Sequence, residues 1–281
     1  MGDSRDSAFK LSNKEFKFIC DFVYDVAGIV LGDSKREMVY RRLTRVIRER
    51  KLPTFSDYCI LLKENPEKEK NYFINAITTN LTSFYREKHH FDYLASHEFP
   101  ALLERNKRSK RIRLWSSASS TGEEPYSLAI TAFKSFSSVL SNWDIKILAT
   151  DIDSNVLSTA KAGVYQQNRI EDVPKAIQES FFKKGTGNNE NKVRVTDNVK
   201  SLITFKQLNL LHEWPMKGPF DVIFCRNVII YFDKATQQDL FERYYNMLAP
   251  GGLLMLGHSE NLGNYQRYFE NVGRTIFRKP K

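Results

Sequence analysis

The sequence predicts an α/β protein in which a small helical domain precedes an open, mostly parallel sheet. Three observations predict it. Apolar residues recur at helical spacing from Ser12 to about Phe84; from Arg111 onward short apolar runs alternate with helical stretches, the βαβ rhythm of a parallel sheet; and residues 165–205 interrupt that rhythm with turn-forming residues.

In the helical region Phe16, Ile19, Cys20 and Val23 form one apolar stripe, and Phe55, Tyr58, Leu61 and Leu62 begin another. Gly28 and Gly32 break the first helix, Pro53 separates two more, and Asn65-Pro66 marks a further turn. Residues 35–51, K-R-E-M-V-Y-R-R-L-T-R-V-I-R-E-R-K, set Met38, Leu43, Val46 and Ile47 at roughly helical spacing and leave Arg41, Arg42, Arg45 and Arg48 on the exposed surface. Few acidic side chains stand four residues away, so this face is positive; an ordinary solvated surface is the alternative. Strands then follow at I-R-L-W, I-K-I-L-A-T, L-I-T-F-K-Q-L, F-D-V-I-F-C and G-L-L-M-L-G, and R-T-I-F-R-K closes the chain as one more strand at the sheet edge. Residues 165–205, centred on K-K-G-T-G-N-N-E-N-K-V-R-V, read as a small inserted hairpin subdomain, and the two domains divide as 1–85 and 86–281.

At 281 residues and 41% hydrophobic content the chain can bury real cores. Cys20, Cys59 and Cys225 are too far apart for a disulfide framework or a C-x-x-C metal site, and a reducing compartment fits. The start, M-G-D-S-R-D-S-A-F-K, has no apolar run of the kind a secretion signal needs, and no later run reaches bilayer-spanning length, so a soluble cytoplasmic protein is expected. Forty-three basic against 33 acidic residues give a net charge of +10, which steers the protein toward an acidic partner.

Ligands of open α/β sheets lie outside the carboxyl ends of the strands. The first strand runs into S-S-A-S-S-T-G-E-E-P-Y-S-L (116–128), whose small residues let the backbone approach a nucleotide-like ligand. The pattern G-x-G-x-x-G is missing, because Ser117, Ala118, Ser119 and Ser120 fill the turn, and a dinucleotide is disfavoured. The acidic pair Glu123 and Glu124 would repel a phosphate and suit a ligand bearing positive charge and ribose hydroxyls. A T-x-x-E capping box is the alternative for Glu124, but proline prefers the first helical position, and Pro125 there leaves Glu124 at the helix boundary facing the strand ends. Asp151 ends the second strand, where an acid binds ribose hydroxyls, while Asp153 suits a helix N-cap better than a D-x-D metal site. Asn209 and Leu210 follow the next strand; the Asn209 amide matches adenine edges, and an ordinary turn accounts for it equally well. Arg226, Asn227 and Tyr231 follow an otherwise apolar strand, where a charged arginine needs a reason, and Cys225 reads as core.

Taken together these segments resemble the CheR-type chemotaxis receptor methyltransferases over nearly the whole chain. The signposts, in order, are T-T-N-L-T-S-F-Y-R-E (78–87), S-T-G-E-E-P-Y-S (120–127), A-T-D-I-D (149–153), C-R-N-V-I-I-Y-F (225–232), and L-A-P-G-G-L-L (248–254) with G-H-S-E-N (257–261). The L-x-P-G-G-x-L element alone looks only like a generic class I methyltransferase. The resemblance implies a Rossmann-like class I domain that moves a methyl group from S-adenosylmethionine to glutamate side chains of chemoreceptors and leaves S-adenosylhomocysteine. It implies that Asn80, Thr82 and Arg86 contact the cofactor from the interdomain side, that Glu124 and Asp151 hold its amino acid and ribose, and that Asn209 and Leu210 hold its adenine. Arg226 and Asn227 would close the pocket, Arg86 and Tyr231 would lie near the transferred methyl, and no metal is expected.

The same resemblance implies partners. The acidic helical cytoplasmic bundles of membrane-bound chemoreceptors suit the face of Arg41, Arg42, Arg45 and Arg48. Residues 165–205 are similar to the subdomain that in some relatives captures a receptor's carboxyl-terminal peptide by adding a strand, and the K-K-G-T-G turn (183–187) resembles those members. Neither nucleic acid nor membrane insertion is expected. An isoelectric point near 9.4 would also suit a nucleic-acid methyltransferase, but C-R-N-V-I-I-Y-F stands where D-P-P-Y or N-P-P-Y would be required. A non-catalytic receptor-binding module is the remaining rival, against which stand the retained ligand positions.

Overall fold

The computed structural model describes residues 9–281; residues 1–8, which belong to the start read above for a signal and to the expected domain 1–85, lie outside the described residues. The chain divides into a helical unit, residues 9–79 with Tyr231–Thr236, and a larger unit, Asn80–Ile230 with Gln237–Lys281.

The helical unit holds α1 (Asn13–Ala27), α2 (Arg36–Glu49), α3 (Phe55–Glu64) and α4 (Pro66–Ile77). Ser12 and Glu15 start α1 as a capping box, and Gly28 ends it at φ 66°, where a glycine carries no Cβ penalty. Pro66 is the first residue of α4, where its missing N–H is not needed. Phe16, Ile19, Val23, Leu43, Val46, Ile47, Phe55, Tyr58, Leu62 and Phe73 form the core. The buried face of α2 begins at Val39, not Met38, because one residue turns a helix by about 100° and Val39 is the residue aligned with Leu43 and Val46. Cys20 and Leu61 are likewise only half-buried.

The helical unit ends at Thr79, six residues before the expected boundary. The reason is packing: the Phe84 ring stands edge-on to Tyr165 and Phe182 at 5.1 and 5.2 Å, and the Tyr85 N–H donates to Ser127 Oγ at 2.9 Å, all within the larger unit.

The larger unit continues through α5 (His89–Tyr93), α6 (Phe99–Arg105), β1 (Arg111–Ser116), α7 (Glu123–Ser135), β2 (Asp144–Asp151), α8 (Ser154–Ala162), β3 (Val164–Gln166), α9 (Lys175–Phe181), β4 (Phe182–Lys184), β5 (Lys192–Val195), α10 (Asp197–Lys200), β6 (Ile203–Gln207), β7 (Phe220–Cys225), α11 (Lys234–Met247), β8 (Leu248–Leu256), β9 (Glu270–Gly273) and β10 (Ile276–Arg278). Seven strands form one sheet in the order β6-β2-β1-β7-β8-β10-β9, and only β10 runs against the others. The closing strand is therefore not the edge. That place belongs to β9, whose E-N-V-G carries only exposed or half-buried side chains and so lacks the apolar alternation that announces a strand. Strand β7, by contrast, is buried at all six positions, as its apolar run requires; its one charge, Asp221, accepts from the Arg113 N–H at 2.8 Å and the Asn106 amide at 3.0 Å.

The insertion is a three-stranded antiparallel sheet in the order β3-β5-β4, so the expected hairpin is β4 with β5, completed by β3. It ends before residue 203, where β6 rejoins the main sheet beside β2. Gly185 is fixed by a close approach at the β4–β5 turn, since a Cβ there would stand 2.0 Å from the Asn189 carbonyl oxygen.

Candidate cofactor site

The order of the main sheet reverses at β1: the chain runs outward through β2 and β6 on one side and then through β7 and β8 on the other. Such a reversal opens a crevice at the carboxyl ends of the strands. Glu124, Asp151, Asn209, Leu210, Arg226 and Asn227 all follow or end strands of this reversal, at one edge of the sheet.

Helix α7 begins at Glu123 with Gly122 as its N-cap at φ 100°, two residues earlier than the position of Pro125 suggests. Pro125 is tolerated at the third helical position because the first four N–H groups of a helix have no intrahelical partner. Glu124 thus sits within the first turn. Of the acidic pair, Glu123 is taken by the insertion: it accepts from Thr121 Oγ1 at 2.6 Å and forms an ion pair with Arg169, which also donates to the Thr82 carbonyl at 2.8 Å. These two partners occupy the Glu123 carboxylate.

Glu124 is held by Ser116 Oγ at 2.8 Å and by Arg226 Nη1 at 3.0 Å. Arg226 is 5% exposed, lies 3.3 Å from Glu87 Oε2 and donates to the Arg86 carbonyl. Burial pushes the Glu87 carboxyl up, but Arg226 and His258 outweigh it and bring the group to about 2. Burial and Arg226 together depress neighbouring His90 to about 3, so it is neutral at pH 7. For Glu124 burial wins over Arg226 and Ser116 and raises the carboxyl. The Arg86 side chain donates to the Leu81 carbonyl at 2.9 Å.

Asp151 is the second node. Its oxygens accept from the Ser120 N–H at 2.8 Å and the Asp153 N–H at 3.0 Å, while burial raises the carboxyl to about 6. Ser120 Oγ donates to the Asn80 carbonyl at 2.9 Å, and Asn80 Nδ2 donates to Asp153 Oδ2 at 2.8 Å. Asp153 caps α8 through the N–H groups of Asn155 and Val156, as expected. The structure therefore joins Asn80 to Asp151, and Arg86 to Arg226 and Glu124, in two hydrogen-bonded groups.

After β6 the Leu208 N–H donates to the Asp151 carbonyl at 2.9 Å, and Asn209 Oδ1 accepts from the Leu211 N–H at 3.0 Å. The Leu210 carbonyl is gripped by Arg243 Nη1 at 2.6 Å and Trp214 Nε1 at 3.2 Å, with Arg243 stacked 3.9 Å over the Trp214 ring. Cys225 is fully buried and burial pushes its thiol up to about 12, as a core residue rather than a nucleophile.

Comparison with known proteins agrees over both units. Residues 14–78 match the all-alpha domain of CheR methyltransferases, and residues 80–278 match their S-adenosylmethionine-binding domain. The chain belongs to the CheR methyltransferase family. It is 44% identical to the chemotaxis protein methyltransferase of Salmonella typhimurium over 95% of this chain and 90% of that protein, and 43% identical to the probable chemotaxis protein methyltransferase of Rhizobium etli over 91% and 96%. It is also 43% identical to the chemotaxis protein methyltransferase of Escherichia coli, over 95% and 91%. The larger unit is thus an S-adenosylmethionine-binding methyltransferase domain.

The residues at the strand ends fit that cofactor. Among the described residues Ser119 Oγ and Arg226 Nε are buried without a hydrogen-bond partner, which leaves a hydroxyl and a guanidinium N–H unspent in the segments that follow β1 and β7. Among the described residues no group of three or more His, Cys, Asp and Glu could hold a metal. A cleft of about 470 Å³ opens beside the insertion, lined by Asn80, Thr121, Glu123, Tyr165, Arg169 and Lys192 among others. Of the expected cofactor residues, Asn80 lines it.

Two further expected residues belong to the helical unit. Tyr231 belongs to the helical unit, where its carbonyl accepts from the Val30 N–H at 2.8 Å and nearby Asp233 accepts from Tyr24 Oη at 2.8 Å. On α2, Arg41, Arg45 and Arg48 are exposed as expected, but Arg42 is turned inward. Its guanidinium donates to the Ile77 carbonyl, to the Thr78 carbonyl at 2.7 Å and to Thr79 Oγ1 at 3.0 Å, closing the end of α4. Arg45 pairs with Glu49 at 2.8 Å. The sequence alone assigns no role to Glu87, Ser116, Ser120 or Glu260; Glu87 and Glu260 are legible there only as charged residues beside motif arginines and strand ends.

Proposed function

We propose that this enzyme transfers the methyl group of S-adenosylmethionine to glutamate side chains of chemotaxis receptors, forming methyl esters, in the cytoplasm at membrane-bound receptors. The likeness across nearly full length to chemotaxis protein methyltransferases is the observation that carries the reading. The ionisation states at the strand ends support it. His90 is held neutral and buried, the Cys225 thiol is pushed up to about 12, and Glu87 and Glu124 are committed to Arg226. An acceptor glutamate with a pKa of about 4.3 is already a carboxylate at neutral pH and needs no general base, which agrees with a neutral His90 and with Glu87 and Glu124 paired to Arg226.

Bound S-adenosylmethionine would supply an electrophilic methyl on sulfur, and the products, an ester and a thioether, carry less charge than the reactants. Glu124 and Asp151 would hold its amino acid and ribose, Asn80 and Thr82 would flank it, Asn209 and Leu210 would frame the adenine, and Arg226 with Asn227 would close the pocket. Arg86 and Tyr231 would orient the acceptor. Because charge disperses along the reaction, water exclusion and orientation accelerate it more than tight binding of the charged reactants does.

Arg41, Arg45 and Arg48 would receive the acidic helices of the receptor. Strand β4 pairs on one side only, with β5, so its outer edge suits a receptor's carboxyl-terminal peptide added as a further strand. The test of the reaction is transfer of a radiolabelled methyl from S-adenosylmethionine to receptor-containing membranes, followed by mild alkali. Volatile methanol is the result expected of esters; label that survives alkali would overturn the reading in favour of methylated amines or bases.

A further inference from the structure

Strands β7 and β8 are neighbours in register, with Cys225 opposite Leu256. Beyond them the chain turns sharply twice. Asn227 adopts φ 57°, the left-handed region, which costs most residues energy and which asparagine enters more readily than others. Gly257 has no space for a side chain: a Cβ would stand 2.5 Å from Asn227 Nδ2 and 2.8 Å from Glu260 Oε2.

One side chain spans both turns. The Glu260 carboxylate, 7% exposed, accepts four backbone N–H groups. Oε2 takes those of Gly257 at 2.7 Å and Asn227 at 2.9 Å, and Oε1 takes those of Val228 and Ile229, each at 3.0 Å. Three of the four donors belong to the segment that follows Arg226. An ionised carboxylate can accept along two directions at each oxygen, which matches this demand; an amide offers one accepting oxygen and two donors.

We infer that Glu260 is a positioning residue that clamps the segment Arg226 to Ile229 in its cofactor-binding conformation, tying it across to the end of β8. The inference rests on the reading that Arg226 and Asn227 line the cofactor. It explains the G-H-S-E-N element physically, since the glycine permits the close approach and the glutamate holds the backbone that Arg226 and Asn227 depend on. Volume alone does not hold that backbone, because Glu260→Gln fills the same space yet turns an –NH2 toward two N–H donors, whichever way the amide is oriented.

The test compares Glu260→Gln, Glu260→Ala, Asn227→Ala, Arg226→Lys and the parent protein in calorimetric titration with S-adenosylhomocysteine, together with backbone hydrogen exchange. Both Glu260 variants are expected to bind about tenfold or more weakly, and the amides of residues 227–229 and 257 to exchange faster, while those of β1 and β2 stay protected. Rescue of affinity and protection by glutamine would show a space-filling role and overturn the clamp. Wild-type affinity in Glu260→Gln with weakened Asn227→Ala would overturn the clamp alone. Wild-type affinity in Asn227→Ala and in Arg226→Lys would instead overturn the cofactor reading beneath it. Should the Glu260 variants fail to fold, exchange in the parent decides, because unprotected amides at 227–229 contradict the clamp.

Discussion

Replacing Asp151 by asparagine separates its cost to the unliganded protein from its value to the cofactor. Burial raises the carboxyl from 3.8 to about 6; at 1.36 kcal/mol per pH unit, keeping it ionised at pH 7 costs the folded, unliganded protein about 3 kcal/mol. The sign follows from a folded pKa above the unfolded one: between pH 3.8 and about 6 the folded state binds more protons, so this group's contribution is most favourable below pH 3.8 and is lost as pH rises through 6. Asp151→Asn removes that penalty but sets its –NH2 against one of the two backbone donors, Ser120 or Asp153, at a cost of roughly 1 to 3 kcal/mol. The two terms nearly cancel, so the variant should unfold near the wild-type temperature at pH 7. Cofactor binding has no such offset. Ribose hydroxyls donating to a carboxylate are worth roughly 1.5 to 3 kcal/mol more than to nothing, which is about tenfold to about 150-fold in affinity. Titration calorimetry with S-adenosylhomocysteine from pH 5 to pH 8 should show wild-type affinity rising as pH passes about 6, and a weaker variant without that rise. Equal affinity, or the same pH dependence in both proteins, would refute the placement of Asp151 at the ribose.

Three further outcomes follow from the geometry. Glu124→Ala leaves the buried Arg226 with Glu87 as its sole remaining carboxylate, and breaking a buried pair typically costs about 3 to 5 kcal/mol, so denaturant melts should show a clear loss of stability together with weaker cofactor binding. Tyr231→Phe should lower methyl transfer at saturating receptor while leaving cofactor affinity unchanged; normal turnover would remove the phenol from the reaction. On α2, Arg41→Glu with Arg45→Glu should slow methylation of intact receptors and flatten its salt dependence, whereas Arg42→Ala should destabilise the helical unit by about 1 to 2 kcal/mol through loss of the α4 contacts; equal effects of both changes on docking would contradict the inward placement of Arg42.

What the sequence shows and what only the structure shows differ for physical reasons. Strand ends are legible because a buried apolar run followed by a charged residue is unusual, and this marks Asp151 and Arg226. Asn80 and Thr82 carry no such local signal, and only the resemblance to a family points to them. The start of α7 is hard to place because proline is compatible with any of the first helical positions, and a glycine N-cap at φ 100° leaves little trace in composition. Arg42 and its neighbours look alike in one dimension; only the end of α4, about 35 residues away, distinguishes the one that is turned inward. Glu260 is illegible for the same reason, since three of its four partners are backbone groups more than 30 residues distant.

The most direct test of the central claim is to locate the methyl group. A receptor cytoplasmic fragment incubated with the enzyme and S-adenosylmethionine, then digested and sequenced by mass spectrometry without alkaline steps, should carry methyl groups on glutamate side chains that mild alkali removes. Methylation confined to lysine, arginine or a chain terminus, or found on nucleic acid and not on the receptor, would contradict the account.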